Sequence, residues 1–346
     1  MNLQTFIQKM PKVELHVHMQ GGTKPETLLE IARRNGIKLP YDTVEGLRQW
    51  YQFKDFDHFI EIYMEAADCI KTPDDVEFMA REFLRGQAEQ NIVWSEVTYT
   101  ALLHYPMPWA EQLAAINRAR SWAEAEFGIR MGLIVDIPRV VPEEEGLWVA
   151  DWVIEGYGVS DSGGVLALGL GGPEVNNPPE RYKSAFDRVR AKGIPCILHA
   201  GETLGPESIW SALRTAGSVR IGHGVRAIED PTLMAYLKAT QTPLEVCPTS
   251  NVCLGVYPSL AQHSLPKLME AGLYVTINSD DPPMFNTTLT NEYLVCAEAF
   301  GWSAEVIQQL VLNAVHVALL PAEEKQHMIE AFRRQFTSAF NELAAE

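Results

Sequence analysis

The stretch that decides the fold is Val13-Glu14-Leu15-His16-Val17-His18, in which apolar and polar side chains alternate. Followed closely by Gly21-Gly22, it predicts a buried β-strand. Because side chains two apart on a strand point to the same side, we expect His16 and His18 to project together. Two such imidazoles make half of a metal site, although two locally hydrogen-bonded polar residues would give the same pattern. Glu14, at the same parity, is expected to be a structural, hydrogen-bonded carboxylate.

The composition is that of an ordinary globular protein with an acidic surface. The 346 residues are 47% hydrophobic and 21% charged, and the formal net charge is −17. Such a charge repels phosphate backbones and anionic lipids, so neither nucleic acid nor a membrane is an expected partner. The five cysteines show no Cys-x-x-Cys spacing, which is typical of a reducing compartment. Without a signal peptide or an apolar run of roughly 20 residues, we expect a soluble, cytoplasmic protein.

Seven further strand-like runs alternate with helical patterns along the chain. Pro243 should precede the hydrogen-bonded part of its run, because proline has no backbone N–H to donate. Eight strands alternating with helices predict an α/β fold, a (β/α)8 TIM-type barrel, with a doubly wound open sheet as the structural alternative. We expect one domain over residues 1–346, with extra helices over 23–90 and 301–346. The seven runs are 92–98, 129–137, 165–170, 195–199, 219–222, 242–246 and 273–278.

Chemically active side chains fall at the ends of these strands, on the rim where barrel enzymes place their sites. Three imidazoles and one carboxylate from this rim would make a divalent-metal site with a place for water, whose pKa the ion lowers to about 7. Singly, His199 could be a core histidine and Asp280-Asp281 a solvated turn, but their joint placement at separate strand ends favours function. Glu202, three residues after His199, can reach the same pocket as a proton carrier. The rim residues are His16, His18, Gly172, His199, Glu202, His223, Asp280 and Asp281.

At these positions the chain resembles the adenosine deaminase family of the metal-dependent amidohydrolase superfamily. The matching motifs are Lys12-Val13-Glu14-Leu15-His16-Val17-His18, Gly171-Gly172-Pro173-Glu174, His199-Ala200-Gly201-Glu202, Gly222-His223-Gly224, Cys247-Pro248-Thr249-Ser250-Asn251 and Ser279-Asp280-Asp281-Pro282. They occur in family order from residue 12 to residue 282. The resemblance implies a (β/α)8 barrel with one zinc ion, held by His16, His18, His199 and Asp280.

The resemblance also implies roles in hydrolytic deamination at C6 of a 6-aminopurine, with release of ammonia. By this comparison His223 orients and stabilises the attacking hydroxide, and Glu202 donates a proton to the ring nitrogen next to the attacked carbon. Gly172 and Asp281 hold other ring nitrogens. Asp280 joins Glu202 and His223 as a catalytic residue.

One residue departs from the pattern of adenosine-specific family members. They carry an acidic residue in a His-x-His-Leu-Asp-Gly run, where it meets the ribose 5′-hydroxyl, whereas this chain reads His18-Met19-Gln20-Gly21. Gln20, like His18, is an expected substrate contact, but it carries no charge. This departure argues against free adenosine, and the expected substrates are adenosine or a 5′-modified adenine nucleoside such as aminodeoxyfutalosine, with free adenine as the alternative. The pocket wall is expected from residues 50–105, and Fe²⁺ suits the same ligands as Zn²⁺.

Two other classes of function remain as alternatives. A purine-binding barrel without activity would have a broken ligand set, and no expected position is broken. A ring-amide hydrolase would need a second metal bridged by a lysine after the fourth strand, where the chain reads Leu168-Gly169-Leu170-Gly171-Gly172. The oligomeric state is left open. The remaining histidines, interpreted as packing or surface residues, are His58, His104, His263, His316 and His327.

Overall fold

Eight parallel β-strands form one sheet in which each strand pairs with its neighbour in the sequence. They belong to a computed structural model that describes residues 2–158 and 164–344, with side chains described through residue 338. All-parallel sheets are covered on both faces, and the strands are accordingly buried almost throughout. The strands are β1 (Lys12–His18), β2 (Ile92–Tyr99), β3 (Arg130–Pro138), β4 (Val165–Gly171), β5 (Cys196–Ala200), β6 (Arg220–His223), β7 (Leu244–Val246) and β8 (Val275–Ile277).

The residues that follow β8 join the sheet back to β1. The backbone N–H of His18 donates to the carbonyl oxygen of Asp280 at 2.9 Å, and the N–H of Asp280 donates to the carbonyl of His16 at 3.1 Å. Asn278 Oδ1 also accepts from the N–H of His16 at 3.1 Å. The predicted (β/α)8 barrel is thereby confirmed, and the doubly wound open sheet is excluded.

Helices connect the strands and cover the outside of the barrel. None of those in the described segments combines the length and apolar character needed to cross a bilayer. The α-helices of these segments are α1 (Leu3–Lys9), α2 (Pro25–Arg34), α3 (Val44–Trp50), α4 (Phe56–Ala67), α5 (Pro73–Ala88), α6 (Trp109–Phe127), α7 (Glu143–Gly156), α8 (Lys183–Arg190), α9 (Pro206–Ser211), α10 (Pro231–Thr240), α11 (Pro248–Cys253), α12 (Leu265–Glu270), α13 (Leu289–Phe300), α14 (Ala304–Val317) and α15 (Ala322–Ala344).

The predicted strands agree with the observed ones to within two residues at each end. As expected, Pro243 precedes β7, and its carbonyl accepts from the N–H of Ile221 at 2.9 Å. The extra helices after β1 and at the C-terminus are present as α2–α5 and α14–α15. The helical patterns in the sequence do not include α1, α7, α11 and α13.

The side chain of Glu14 does not point to the same side of β1 as that of His16. The register with β2 shifts between Glu14 and Val17, and a one-residue shift reverses the alternation of side chains. The Glu14 carboxylate accepts from Gln87 Nε2 on the covering helix α5 at 2.8 Å and from the N–H of Ser279 at 3.0 Å. The prediction that Glu14 is a structural, hydrogen-bonded carboxylate is confirmed. The prediction that it points to the same side of β1 as His16 is wrong.

The inside of the barrel holds a buried charged group beneath the rim. The Arg220 guanidinium lies 2.6 Å from Glu96 Oε2 and 2.5 Å from Glu245 Oε1. A buried charge is tolerated only when it is paired and hydrogen-bonded, and Arg220 has two carboxylate partners. An apolar layer beside this group consists of Ile134, Ala167 and Ile197, with Leu319 packed against them.

Candidate active site

Five of the predicted rim residues come together at the carboxyl ends of β1, β5, β6 and β8. His18 Nε2 lies 3.1 Å from His199 Nε2 and 3.4 Å from Asp280 Oδ1. His16 Nε2 lies 3.5 Å from the same Asp280 oxygen. The potential ligand atoms of His16, His199, His223 and Asp280 all lie within 4.8 Å of one another. The structure therefore brings together all four residues predicted to hold the metal, with His223 beside them.

The hydrogen bonds of His16 determine which ring nitrogen is free. Its Nδ1 lies 2.9 Å from Glu245 Oε2, and because a carboxylate only accepts, Nδ1 carries the hydrogen. The opposite nitrogen, Nε2, is buried and has no hydrogen-bond partner among the described residues. Burial favours the neutral ring, but hydrogen bonds and the negative charges of Asp280 and Glu245 raise the pKa of His16 to about 10. A ring held in this way, in a strongly negative environment, is suited to bind a cation.

His199 has the same arrangement on the other side of the cluster. Its Nδ1 lies 3.0 Å from the carbonyl oxygen of Leu170, which can only accept, so the lone pair is at Nε2. Burial, together with the charges of His16, His18 and His223, holds the pKa of His199 well below its ordinary value. His199 therefore offers an unprotonated nitrogen to the same point as His16. This donor set fits a divalent metal ion of the zinc type.

Asp280 and His223 share an uncommon backbone conformation. Their φ angles are 66° and 60°, in the left-handed region that residues other than glycine rarely adopt. Such strain is concentrated at functional sites, where the surrounding structure enforces it. Ser250 Oγ donates to Asp280 Oδ2 at 2.6 Å. Burial opposes ionisation of Asp280, but the nearby imidazoles of His16 and His18 hold its pKa well below the ordinary value.

Glu202 lies beside His223, on a loop that Glu174 fixes. Glu202 Oε1 is 3.7 Å from His223 Nε2. The Glu174 carboxylate accepts from the N–H groups of Gly201 and Glu202, both at 2.9 Å, and of Thr203 at 2.8 Å. Burial, assisted by the charges of Asp280 and Glu174, raises the pKa of Glu202 well above its ordinary value. A carboxyl whose pKa is raised keeps its proton more readily and is suited to act as a general acid.

These groups form the polar floor of a pocket whose wall is apolar. Gly172 and Asp281 line it, as the sequence analysis expected. Burial raises the pKa of Asp281 to about 8, and its Oδ1 has no hydrogen-bond partner among the described residues. A Cβ on Gly21 would lie 1.6 Å from this Oδ1, so residue 21 must be glycine if the Asp281 carboxyl is to keep its position. Residues 50–105 supply much of the wall, as expected, with Phe56, Phe59, Ile60, Tyr63, Met64, Thr100 and Leu103, and Pro138, Val140 and Leu254 also line it.

Comparison with known proteins decides the family. The sequence model of the adenosine deaminase family matches residues 11–335. The chain is 39% identical over 330 residues to an aminodeoxyfutalosine deaminase from Streptomyces avermitilis, covering 94% of this chain and 90% of that protein. It is 37% identical over 315 residues to an adenine deaminase from Bordetella avium, covering 90% and 98%. The chain belongs to the adenosine deaminase family.

The solved structures agree with this membership. The crystal structure of an adenine deaminase from Arthrobacter aurescens superposes with a TM-score of 0.89 at 29% identity, over 95% of this chain and 99% of that chain. The resemblance stated from the motifs is thereby confirmed, and the protein is a hydrolytic deaminase of the adenosine deaminase family.

Gln20, a predicted substrate contact, does not line the pocket of this deaminase. Its side chain is 2% exposed and its Nε2 donates to the carbonyl of Thr100 and to His104 Nε2, both at 3.1 Å. The Gln20 amide therefore binds the start and the end of the short helix Ala101–His104, and the predicted contact of Gln20 with the substrate is not found. Burial lowers the pKa of His104 to about 4, in agreement with its interpretation as a packing residue.

The structure places further residues at the site that the sequence patterns did not indicate. Asp136 and Arg139, at the end of β3, line the pocket, and Glu245 contacts His16 from below. Charged residues within otherwise apolar strands were the available signal for Asp136 and Glu245. Of the other histidines, His316 and His327 are exposed, His58 is partly buried, and His104 and His263 are buried.

Proposed function

We propose that this deaminase hydrolyses the 6-amino group of a 5′-modified adenine nucleoside with the help of one divalent cation, zinc before iron. His16, His18, His199 and Asp280 would hold the cation. The observation that carries the proposal is the meeting of His16 Nε2 and His199 Nε2 with Asp280 Oδ1, beside the carboxyl group of Glu202 at the floor of the pocket. When bound, such an ion lowers the pKa of a coordinated water to about 7 and so supplies a hydroxide nucleophile.

The chain's own residues would bind and protonate the purine ring. Glu202, whose pKa is raised by burial, would donate a proton to N1 and so make C6 open to attack. The carboxyl of Asp281, with a pKa of about 8, would carry a proton for a second ring nitrogen, and the backbone of Gly172 would meet a third. Water then adds at C6, ammonia leaves, and the amino group is replaced by an oxo group. His223 would hold the incoming oxygen.

Two features support a nucleoside with a modified 5′ position. The relative from Streptomyces avermitilis, 39% identical, is an aminodeoxyfutalosine deaminase. Gln20, at the position where adenosine-specific members carry an acidic residue, is neutral and is turned to Thr100, which itself lines the pocket. Gln20 would thus support the pocket wall and put no charge near a 5′-substituent. Free adenine is the second candidate, because the relative from Bordetella avium is an adenine deaminase.

The test is a substrate panel on the metal-loaded protein, with released ammonia as the measurement. We expect ammonia from a 5′-modified adenine nucleoside at a higher kcat/KM than from adenosine or adenine. Glu202→Gln should keep its metal and lose about 100-fold to 10,000-fold in kcat, because the proton donor is gone. Glu207→Gln, an exposed glutamate of the same region, is the control. No ammonia from any 6-aminopurine would contradict the proposal.

A further inference from the structure

A chain of hydrogen bonds runs behind His223, away from the pocket. The backbone N–H of Leu265 lies 3.0 Å from His263 Nδ1, and His263 Nε2 lies 3.1 Å from Asn251 Oδ1. The chain ends where Asn251 Nδ2 lies 3.2 Å from His223 Nδ1. Asn251, His263 and His223 are 0%, 3% and 1% exposed, so solvent does not compete for these bonds. Within the described residues, the Asn251 amide thus bridges the two imidazoles, and the backbone N–H of Leu265 completes the series of bonds.

The first group of this chain fixes the direction of all the others. A backbone N–H can only donate, so His263 Nδ1 accepts, and a neutral ring must then carry its hydrogen on Nε2. That hydrogen goes to Asn251 Oδ1, which turns the amide NH2 towards His223. His223 Nδ1 accepts in turn, and its hydrogen is left on Nε2, the atom 3.7 Å from Glu202 Oε1. Burial lowers the pKa of His263 to about 4, so its ring is neutral near pH 7.

The ring of His223 is hydrogen-bonded in the opposite sense to the neighbouring rings of His16 and His199. His16 and His199 each direct Nδ1 to an acceptor and turn Nε2 to the cluster. His223 directs Nδ1 to a donor and presents a hydrogen. Its Nε2 lies among the potential ligand atoms of the cluster, but a protonated nitrogen cannot coordinate a cation. The partners of the three Nδ1 atoms thus give the rings different roles. His16 and His199 are arranged as metal ligands, and His223 is arranged as a hydrogen-bond donor.

The segment that carries His263 is also tied to the end of β6. Tyr257 packs its ring 4.5 Å from that of His263, and its hydroxyl donates to the carbonyl of Val225 at 3.0 Å. Ser264 Oγ donates to the same carbonyl at 2.8 Å. The distance between His263 and the His223 turn is therefore set by three separate contacts.

We infer that Asn251 and His263 are positioning residues that hold His223 as the Nε2–H form, so that its ring donates a hydrogen bond to the reacting oxygen and does not bind the metal. The inference rests on the proposed function for the identity of that oxygen. It gives His263, interpreted from the sequence as a packing residue, a part in setting up the reaction.

The direct test is spectroscopic and needs no substrate. In metal-loaded protein with 15N-labelled histidine, long-range nitrogen–proton correlation should show His223 with hydrogen on Nε2 and none on Nδ1. Asn251→Asp, which is nearly isosteric but only accepts, should place a hydrogen on His223 Nδ1. Hydrogen on Nδ1 in the wild-type protein would overturn the inference.

Kinetics provide the second measurement. Asn251→Asp should lower kcat by about 100-fold with a smaller change in KM, because the transition state loses a donor that the ground state does not need. His263→Leu should lower kcat in the same direction, and His263→Gln, which keeps a donor where Nε2 stood, should restore most of it. His327→Gln, at an exposed position on α15, is the matched control.

The outcomes separate this inference from the proposed function. Metal content and thermal midpoint are measured for each variant, so that loss of fold or ligands is recognised. If the wild type releases no ammonia, the proposed function fails while the nitrogen spectrum still decides the state of His223. If ammonia is released but folded, metal-loaded Asn251→Asp keeps the wild-type kcat, the inference fails alone.

Discussion

His16 Nδ1 lies 2.9 Å from Glu245 Oε2, and this contact aims the other nitrogen of the ring at the centre of the rim. Glu245 is itself held by Arg220 at 2.5 Å, so the orientation of His16 is determined from inside the barrel. A ligand held in this way loses less conformational freedom when it binds an ion.

We therefore predict that Glu245→Gln weakens metal binding by about 10-fold to 100-fold. The amide keeps the shape of the side chain but removes the charge that makes His16 a better ligand. The measurement is competition with a chelator of known affinity. Glu298→Gln, at an exposed position on α13, is the control. Unchanged affinity in Glu245→Gln would show that this carboxylate does not support the site.

Gly222→Ala should disrupt the same site by crowding. A Cβ at Gly222 would lie 2.7 Å from His16 Cε1 and 3.1 Å from His199 Cα, too close for either to stay in place. We expect lower metal affinity and lower kcat together. Gly86→Ala on α5 is the matched control, because its Cβ would meet only the flexible end of Lys24. That control should be neutral or stabilising by up to about 1 kcal/mol. Normal metal binding by Gly222→Ala would contradict the described packing of the two rings.

Gln20→Glu should destabilise the protein without making it specific for adenosine. An ionised carboxylate cannot donate to the Thr100 carbonyl or to His104 Nε2, and each buried group left unpaired costs about 1–3 kcal/mol. The measurements are chemical denaturation and kcat/KM for adenosine. Gln8→Glu, exposed on α1, should show neither effect. A large gain in adenosine turnover would mean that Gln20 faces the substrate after all.

Glu292 provides a prediction about pH. Burial raises its pKa from the ordinary 4.5 to about 7, so between these values the folded state binds a proton that the unfolded state does not. Its contribution to stability is therefore fully present below about pH 4.5 and is lost as pH rises through about 7. Relative to Glu292→Gln, wild type should lose up to about 3 kcal/mol between pH 4.5 and 8. Denaturation curves at both pH values measure this difference, and a constant difference would contradict the shift.

The sequence was sufficient for the barrel and for most of its rim. Strand alternation places His16 and His18 on one side, and the rule that barrel sites lie at strand ends brings in His199, His223 and Asp280 from distant parts of the chain. Strand alternation and the placement of sites at strand ends can both be applied to a sequence without knowing how the residues pack.

The errors and omissions arise where one local contact decides the outcome. A register shift after Glu14 turns the Glu14 side chain to the opposite side from His16. No residue type in that stretch predicts such a shift. Gln20 is turned away from the pocket by a short helix 80 residues later in the chain. The contact of Asn251 with His223 and His263 depends on how α11, the end of β6 and the segment before α12 meet, and this cannot be derived from spacing.

The most direct test of the account is the rate of ammonia release measured against the metal bound per chain. Protein stripped with a chelator is reloaded stepwise with zinc or iron, and rate and metal content are determined on the same samples. We predict that the rate is zero without metal, rises in proportion to bound metal, and stops rising at one ion per chain. Ammonia release from metal-free protein, or a rate that continues to rise to two ions per chain, would contradict it.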